Sequence, residues 1–282
     1  MNIGIVGLGL IGGSVARAYR DYSDKNSSDF KIFGHDINKP ILDFAIMSGV
    51  LDGALDCDSI GKCDLIFVGL YPDESIEYLK ANANKFSKGT LVIDLCGTKS
   101  EICKVGFELA KAHGFTFVGG HPMAGTHNSG YKYSRANMFV GAPMVIVPPS
   151  FDDIELLGKV RSLLSPLGFG RYSVTSAEEH DRLIAFTSQL AHVVSNAYVK
   201  SPTAREHKGF SAGSYKDMTR VAWLNEVMWT ELFFENKDPL LFEIDCLIDS
   251  LKEYSEALKS NNKEKMQSLL RDGRIAKEEI DK

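Results

Sequence analysis

Short apolar runs that alternate with amphipathic stretches dominate the first part of the chain. Candidate strands lie at residues 2–7, 31–36, 64–70, 90–95, 115–120 and 143–149. Runs this short and this continuously apolar are typical of strands that are covered on both faces. Helix patterns separate most of these runs, and a helix at about 152–165 and a strand at 171–175 follow the last one. The pattern predicts an α/β fold with a doubly wound, mostly parallel, Rossmann-type sheet.

The strand pattern almost disappears beyond residue 175, where the sequence takes on helical periodicity. Helical stretches lie at about 176–200, 216–235, 238–260 and 262–281, and a loop-rich segment at 201–215 interrupts them. We therefore predict two domains, an α/β domain over 1–175 and an all-helical domain over 176–282. Helical domains that follow a sheet domain in this order often pair two subunits.

The composition is that of an ordinary globular protein, with 44% hydrophobic and 24% charged residues among 282. The net charge of −5 argues against a general nucleic-acid or anionic-membrane surface, so an anionic ligand would need a local basic pocket. No apolar run approaches the roughly 20 residues of a membrane helix, and Met1 leads directly into a strand. We therefore expect a cytoplasmic protein that contacts neither nucleic acid nor membrane.

Five cysteines, at positions 57, 63, 96, 103 and 246, are odd in number and lack the spacing of a zinc site. We expect reduced thiols, as is usual for a cytosolic protein, and no metal site.

A glycine-rich loop follows the first strand, in the sequence GIVGLGLIGGS. Gly7 permits a tight turn, Gly9 lets a pyrophosphate approach the backbone, and Gly12 lets the next helix pack closely on the strand. A helix that begins near Leu10 would direct free N–H groups and its positive dipole end at the phosphates. The predicted cofactor-binding residues of this loop are Gly7, Leu8, Gly9, Leu10, Ile11 and Gly12.

The second candidate strand ends at Asp36, 23 residues after Gly13, close to where a dinucleotide-binding domain carries its ribose-binding acid. A carboxylate there would accept from both ribose hydroxyls and repel a 2′-phosphate. No arginine follows at once, although Lys39 is near, so we favour NAD over NADP. The alternative is that the glycines only form a turn and that Asp36 only caps the helix starting near Lys39.

Polar side chains follow two neighbouring strands at the edge where a doubly wound sheet binds its ligands. Thr98 comes shortly after the strand that ends at Leu95, and His121 comes after the next strand. Histidine is the side chain best suited to exchange a proton near neutral pH, and a hydroxyl such as that of Thr98 could orient it. The alternative is a histidine satisfied at a strand end. Gly119, Gly120 and Gly125 favour the catalytic role, because they leave space for a ligand.

The helical half offers further polar groups. Ser188 and His192 are four residues apart and so share a helix face, with Gln189 beside them. This face is either solvated or the wall of a binding site. Arg220 is a fork donor suited to a carboxylate, and the alternative for it is a surface salt bridge.

Together these residues resemble the prephenate dehydrogenase family, the oxidoreductases of tyrosine biosynthesis. The matching motifs are GLGLIGGS (7–14), GHDIN (34–38), DLCGTK (94–99), GGHPMAGT (119–126), EEHD (178–181), SQLAH (188–192) and KDMTR (216–220), with Trp229. They occur in the family's order over about four-fifths of the chain. The resemblance implies an NAD-dependent homodimer that oxidatively decarboxylates prephenate, a dianion, to 4-hydroxyphenylpyruvate.

The resemblance also implies roles for individual residues. His121 matches the catalytic histidine that hydrogen-bonds the ring C4 hydroxyl of prephenate, and Thr98 matches a residue that helps to orient it. Ser188, His192 and Arg220 match substrate-binding positions, with Arg220 the main partner of a substrate carboxylate. The remaining matches are Trp229, an aromatic wall of the pocket, and Gly213, which approaches the active site of the other subunit.

Two positions depart from the family pattern. Some members carry an acid where this chain has His127, and some carry histidine where it has Gln189, so both residues stay outside the predicted catalytic set. The spacing of Arg220 and Trp229 is also informative, because nine residues on one straight helix put them on opposite faces. If both line one pocket, the helix must break between them, and Asn225 is the expected N-cap.

Three alternatives to a prephenate dehydrogenase remain open. An arogenate dehydrogenase would share the fold and the chemistry. A dehydrogenase of the β-hydroxyacid type would need a lysine on the first helix of the second domain, where none precedes Lys200. A non-catalytic NAD-binding protein would bind the cofactor without reducing it.

Overall fold

The computed structural model describes residues 1–126 and 128–281. Its sheet has eight strands in the order β3-β2-β1-β4-β5-β6-β7-β8. The strands are β1 (Asn2–Val6), β2 (Lys31–His35), β3 (Gly53–Ala54), β4 (Leu65–Val68), β5 (Leu91–Asp94), β6 (Thr116–Pro122), β7 (Pro143–Val147) and β8 (Arg171–Val174). All neighbouring pairs are parallel except β6 and β7, which are antiparallel.

Five helices alternate with the strands, and the second half is helical. The first group is α1 (Leu10–Asn26), α2 (Lys39–Met47), α3 (Pro72–Asn82), α4 (Ser100–His113) and α5 (Ile154–Leu163). The second group is α6 (Ala177–Ile184), α7 (Ala191–Tyr198), α8 (Gly213–Thr219), α9 (Glu226–Glu235), α10 (Lys237–Lys259) and α11 (Lys263–Ile280). A π-helical segment, Ala185–Leu190, joins α6 to α7.

The sheet carries one hydrophobic core on each face, which explains the unbroken apolar runs of its strands. Ile3 and Ile5 of β1 belong to one core, and Val6 belongs to the other. In β4, Phe67 lies in the first core and Ile66 in the second, and all of these side chains are fully buried. Because successive side chains of a strand point to opposite faces, a strand covered on both sides needs apolar residues throughout.

The predicted fold class is confirmed. The structure contains one strand that the sequence does not predict, the two-residue β3, and its β6 continues to Pro122, beyond the predicted end at 120. The first part of β6 pairs with β5 and its last four residues pair antiparallel with β7, where His121 faces Val145. This extension carries His121 past the end of β5 while keeping its backbone inside the sheet.

Helix α9 begins where the sequence places a break. The chain passes from α8 through a short turn over Arg220–Ala222, and the side chain of Asn225 accepts from the amides of Val227 and Met228. Asn225 is therefore the N-cap of α9, as predicted. In the part of the chain that the structure covers, every helix is too short or too polar to cross a membrane.

Candidate active site

The glycine loop between β1 and α1 has the geometry of a phosphate-binding turn. Gly7 has a φ of +83°, which favours glycine, and its amide donates to the His35 carbonyl at 2.8 Å. A Cβ on Gly12 would lie 1.9 Å from the Gly7 carbonyl oxygen, so no side chain fits there. A Cβ on Gly9 would meet no atom within 4 Å, which leaves this side of the loop open. Helix α1 starts at Leu10, beside the opening, and its N-terminus favours an anion.

Asp36 follows β2 and braces the glycine loop. Its Oδ2 accepts from the Leu8 amide at 2.8 Å, and its Oδ1 accepts from the Asn38 amide at 2.8 Å. The cap of α2 is Asn38, whose side chain accepts from Ile41, so the alternative role of Asp36 as that cap is wrong. Each carboxylate oxygen keeps a lone pair beyond its one backbone donor, and these can receive ribose hydroxyls. The loop and the acid together fit an NAD dinucleotide.

His121 belongs to a buried chain of hydrogen bonds that starts at a carboxylate. Its Nδ1 lies 2.9 Å from Nε2 of His180, and Nδ1 of His180 lies 2.7 Å from Oδ1 of Asp181. Asp181 also accepts from the backbone amides of Lys99 and Ser100, each at 2.8 Å, and from the Ser100 hydroxyl. Burial alone would raise the pKa of Asp181, but the hydrogen bonds from His180 and Ser100 outweigh burial and lower it.

The ionised carboxylate of Asp181 decides where the ring protons lie. Because it can only accept, Nδ1 of His180 carries a proton, and a His180 ring with no second proton accepts at Nε2 from Nδ1 of His121. Nε2 of His121 is therefore left without a proton. Burial, with smaller contributions from His180 and Lys99, holds the pKa of His121 well below the usual histidine value, so its ring is neutral. This nitrogen lies beside Gly97, where an added Cβ would come within 4.0 Å of it and within 3.3 Å of Leu232.

The glycines before His121 serve packing rather than ligand space, contrary to the expectation from sequence. A Cβ on Gly119 would lie 2.4 Å from Sγ of Cys103, and one on Gly120 would lie 2.6 Å from the Asp94 carbonyl oxygen. Of the three glycines expected to leave ligand space, Gly125 is the one at which an added Cβ would meet no atom within 4 Å. The two tight glycines let β6 approach β5 and α4 closely, which fixes the backbone that carries His121.

A fully buried ion pair supports the same strand end. The Lys99 ammonium binds the Asp94 carboxylate, whose Oδ1 also accepts from the Gly120 amide at 3.1 Å. Burial would lower the pKa of Lys99, but Asp94 outweighs this effect and raises it. Removing either partner would leave an unpaired charge in the core, so the pair holds β5, β6 and the start of α4 together.

The hydroxyl of Thr98 hydrogen-bonds a residue other than His121, although the resemblance implied that it orients this histidine. Its hydroxyl, 3% exposed, donates to Oε2 of Glu235 at the last residue of α9. His180 is the side chain that hydrogen-bonds His121. Thr98 still lies one residue from Gly97 and thus close to the free nitrogen of His121.

His192 and Trp229 form one wall on the helical side. Their ring centroids are 3.8 Å apart, and Nδ1 of His192 lies 2.8 Å from the Val221 carbonyl oxygen, to which it donates. Nε2 of His192 is therefore the free nitrogen. Burial and the charge of Arg220 lower the pKa of His192, against the hydrogen bond to Val221. Arg220 is exposed in the short turn before α9, so the structure brings these predicted residues together.

Ser188 and Gln189 lie in the π-helical segment, a feature that often marks functional sites. Ser188 is half-buried, whereas Gln189 is only 1% exposed. The Gln189 side chain donates to the Leu232 carbonyl at 2.9 Å and accepts from Asn236 at 2.8 Å. Gln189 therefore ties the segment to α9, which agrees with its absence from the predicted catalytic set.

Two further predicted positions lie away from these contacts. Gly213 is exposed at the first residue of α8, where an added Cβ would meet open space. His127 lies outside the described residues.

Three residues of this site, His180, Asp181 and Glu235, are not predicted from the sequence. His180 and Asp181 stand next to each other in the EEHD motif, and that adjacency was the available signal. Glu235 gives no signal, because it is one of three acids in the α9 sequence.

The site combines a glycine loop and Asp36, which fit a dinucleotide, with the neutral His121 at the sheet edge beside the helical half. This combination defines a dinucleotide-dependent dehydrogenase. Comparison with known families narrows this class. The model described as prephenate dehydrogenase, nucleotide-binding domain, matches residues 15–171, and the model described as prephenate dehydrogenase, dimerization domain, matches residues 176–272. The chain belongs to the prephenate dehydrogenase family, and it is an NAD-dependent oxidoreductase.

Individual relatives agree with this family. The prephenate dehydrogenase of Lactococcus lactis subsp. cremoris is 28% identical over 96% of this chain and 75% of its own length. The solved Aquifex aeolicus prephenate dehydrogenase in complex with hydroxyphenyl propionate and NAD+ is 27% identical, with a TM-score of 0.79 over 99% of this chain and 98% of its own. The solved Synechocystis arogenate dehydrogenase is 25% identical, with a TM-score of 0.80 over 99% of this chain and 100% of its own.

Proposed function

We propose that this protein oxidatively decarboxylates prephenate to 4-hydroxyphenylpyruvate with NAD as the hydride acceptor, in tyrosine biosynthesis. The hydrogen-bonded chain from Asp181 through His180 to His121 is the observation that carries this function, because it can leave Nε2 of His121 unprotonated. Family membership supplies the reaction class, and this nitrogen supplies a group that can receive a hydroxyl proton.

The reaction needs charge control from the protein and redox capacity from the cofactor. NAD held by the glycine loop and Asp36 would supply the acceptor for the hydride that leaves C4 of the substrate ring. His121 accepts a hydrogen bond from the C4 hydroxyl, so that electron density moves toward C4 as the hydride departs. The ring carboxylate leaves as carbon dioxide, and its bonding electron pair completes the aromatic ring. The products are the phenol, carbon dioxide and NADH, and aromatisation makes the step irreversible.

The substrate is a dianion, and the helical wall supplies the binding groups. Arg220 is the residue predicted to bind a carboxylate, and its positive charge lies close enough to His192 to lower the pKa of that histidine. We assign Arg220 to a substrate carboxylate, His192 and Ser188 to hydrogen bonds with the substrate, and Trp229 to the ring face. Loss of Arg220 would leave a substrate carboxylate without its charged partner, so we expect the KM for prephenate to rise in Arg220→Ala.

Oxidation of arogenate is the second candidate, because the chain resembles the Synechocystis arogenate dehydrogenase over nearly its full length. The two substrates differ only in a keto or an amino group on the side chain. No described residue carries a clear preference for either group.

The arrangement of the whole protein follows the same reasoning. We infer a domain boundary near residue 175, supported by the end of β8 at Val174 and the start of α6 at Ala177. We infer a homodimer formed by the helical domain, with Gly213 near the partner's active site, and a cytoplasmic location. Exposed leucines on α10, among them Leu251 and Leu258, support the dimer. Light scattering after size exclusion tests it, and a monomer at micromolar concentration would contradict it.

Product analysis tests the reaction itself. The purified protein, NAD and prephenate are incubated, and 4-hydroxyphenylpyruvate, carbon dioxide and NADH are quantified together. We expect the three products in equal amounts. NADH without carbon dioxide would indicate oxidation of a different kind and would contradict the proposal.

A further inference from the structure

A single hydrogen bond joins the loop beside His121 to the end of α9. Thr98 follows β5 and is almost fully buried, and its hydroxyl donates to Oε2 of Glu235. Glu235 is itself half-buried and belongs to the helical half of the chain. The contact therefore connects the two halves next to the nitrogen assigned to the reaction.

Helix α9 touches the site along its whole length. Trp229 packs against His192 in the first turns of the helix, and Leu232 packs against Gly97 in the middle. Glu235 comes last and holds Thr98. A helix fixed at this end keeps both the aromatic wall and the Gly97 loop in register with His121.

Glu235 sits in an acidic environment that spans the two halves. Carboxylate oxygens of Asp73, Glu231 and Glu235 lie within 4.8 Å of one another. Glu231 already accepts from the Asp73 amide at 2.7 Å, in the first turn of α3, whereas Glu235 holds Thr98. Burial raises the pKa of Glu235 to about 7, helped by the charges of Asp73, Glu231 and Asp181 and opposed by the Thr98 hydrogen bond.

We propose that Glu235 is a positioning residue for the reaction, which keeps the Thr98 proton turned toward α9 and the Thr98 oxygen lone pairs turned toward the pocket beside His121. The inference rests on the proposed function, because it assigns a task to a residue next to the reacting atoms. An oriented lone pair at this point accepts from an N–H donor of the bound ligands. The carboxamide of nicotinamide is such a donor.

The proposed role requires the ionised form of Glu235. A protonated carboxyl brings its own donor, competes with the Thr98 proton and lets the hydroxyl rotate. Activity should therefore fall as the pH drops through the pKa of Glu235, near 7. His121 loses its neutral form only at a pH well below the usual histidine value, so its own loss of activity comes later. The groups that face Glu235 are Asp73, Glu231, Asp181 and the Cys96 thiol.

The test compares pH profiles of kcat/KM for prephenate in the full-length protein and its variants. The wild type should lose activity with a midpoint near pH 7. In Glu235→Gln the amide brings its own donor at every pH, as the protonated carboxyl does, so activity at pH 8 should fall to about the level that the wild type reaches at acid pH, and the midpoint near pH 7 should vanish. Glu235→Ala should lose about tenfold or more at pH 8 and should lack the midpoint near pH 7, because Thr98 is no longer oriented at any pH.

Two further variants separate positioning from stability. Glu231→Gln, one turn earlier on α9, should keep the acid loss of activity and move it to a slightly lower pH, because it removes one neighbouring negative charge. In a Thr98→Val background, Glu235→Ala should change kcat by less than about twofold, because its effect passes through Thr98.

Two results would overturn the inference. The first is a loss of activity at acid pH that keeps its midpoint near pH 7 in Glu235→Gln. The second is a Thr98→Val/Glu235→Ala double variant whose loss of kcat equals the product of the two single losses. Either result can be obtained only with an active wild-type enzyme. Failure of this inference is therefore distinguishable from failure of the proposed function. A wild-type protein that binds NAD and oxidises neither prephenate nor arogenate would overturn the function and this inference together.

Discussion

One nitrogen atom, Nε2 of His121, is central to the proposed chemistry, and a carboxylate two side chains away sets its protonation. Asp181 fixes the tautomer of His180, which in turn fixes that of His121. The burial that keeps the ring neutral also excludes water from the hydrogen bonds that orient it.

Replacement of this residue is the first prediction. His121→Asn should lower kcat by about 10²- to 10⁴-fold, the usual contribution of a general base, and should leave NAD affinity within about twofold. Initial rates and a cofactor titration measure the two quantities. His113→Asn is the control, because His113 is an exposed histidine at the end of α4. Near-normal turnover of His121→Asn would remove His121 from the mechanism.

The glycine loop gives a second prediction, since two of its glycines have different surroundings. Gly9 has an ordinary φ of −72° and open space at its Cβ position, so Gly9→Ala should fold normally and raise the Kd for NAD about tenfold or more by blocking the phosphates. Gly12→Ala should unfold at a clearly lower temperature, because its Cβ would overlap the Gly7 carbonyl. Thermal unfolding with and without NAD distinguishes them. A Gly9→Ala protein with unchanged NAD affinity would contradict the cofactor site.

Individual residues are predictable from the sequence where a local rule applies. The glycine loop, Asp36 and His121 follow from spacing and from their position after strands, and the structure gives Gly7, Gly9 and Gly12 the expected surroundings. Side-chain contacts between residues far apart in the sequence follow no such rule. The Thr98–Glu235 contact joins residues 137 positions apart, and the His121–His180 contact joins residues 59 apart.

Helix α9 is the element that organises the helical side of the site, and its start is fixed by Asn225. The Asn225 side chain accepts from two backbone amides and also donates to the Tyr71 hydroxyl at 3.4 Å. Without the break that this cap creates, Arg220 and Trp229 would face opposite sides of one helix.

Loss of that cap is the third prediction. Asn225→Ala should lower the free energy of unfolding by about 1 kcal/mol and should raise the KM for prephenate several-fold, because Trp229 and Leu232 lose their register. Asn262→Ala is matched, since Asn262 caps α11 with one side-chain hydrogen bond to the Lys265 amide. It should cost a similar free energy with an unchanged KM. Denaturant titration and steady-state kinetics measure both, and equal KM values in the two variants would contradict the role of α9.

Periodicity predicts most elements and misses those that depend on tertiary context. The break before α9 is predictable from geometry and from an asparagine in the right place. The π-helical segment at 185–190 is not, because six residues are too few for their period to be read from the apolar pattern. The antiparallel pairing of β6 with β7 is also missed, since strand direction depends on how the intervening segment returns to the sheet.

At the scale of the whole molecule, the proposed activity depends on the junction between a nucleotide-binding half and a helical half. The first half supplies the glycine loop, Asp36 and His121, and the second supplies His180, Asp181 and the substrate wall. Neither half holds a complete site. This division explains why an α/β pattern alone predicts a cofactor, whereas the substrate class needs residues from both halves.

The most direct measurement is the rate of NADH formation, followed by its near-ultraviolet absorbance, when the purified protein and NAD receive prephenate or arogenate. We expect NADH with prephenate, and loss of the signal in His121→Asn. NADH with arogenate alone would keep the fold and the His121 mechanism and contradict the proposed substrate. No NADH with either compound, in a protein that still binds NAD, would contradict the proposed reaction.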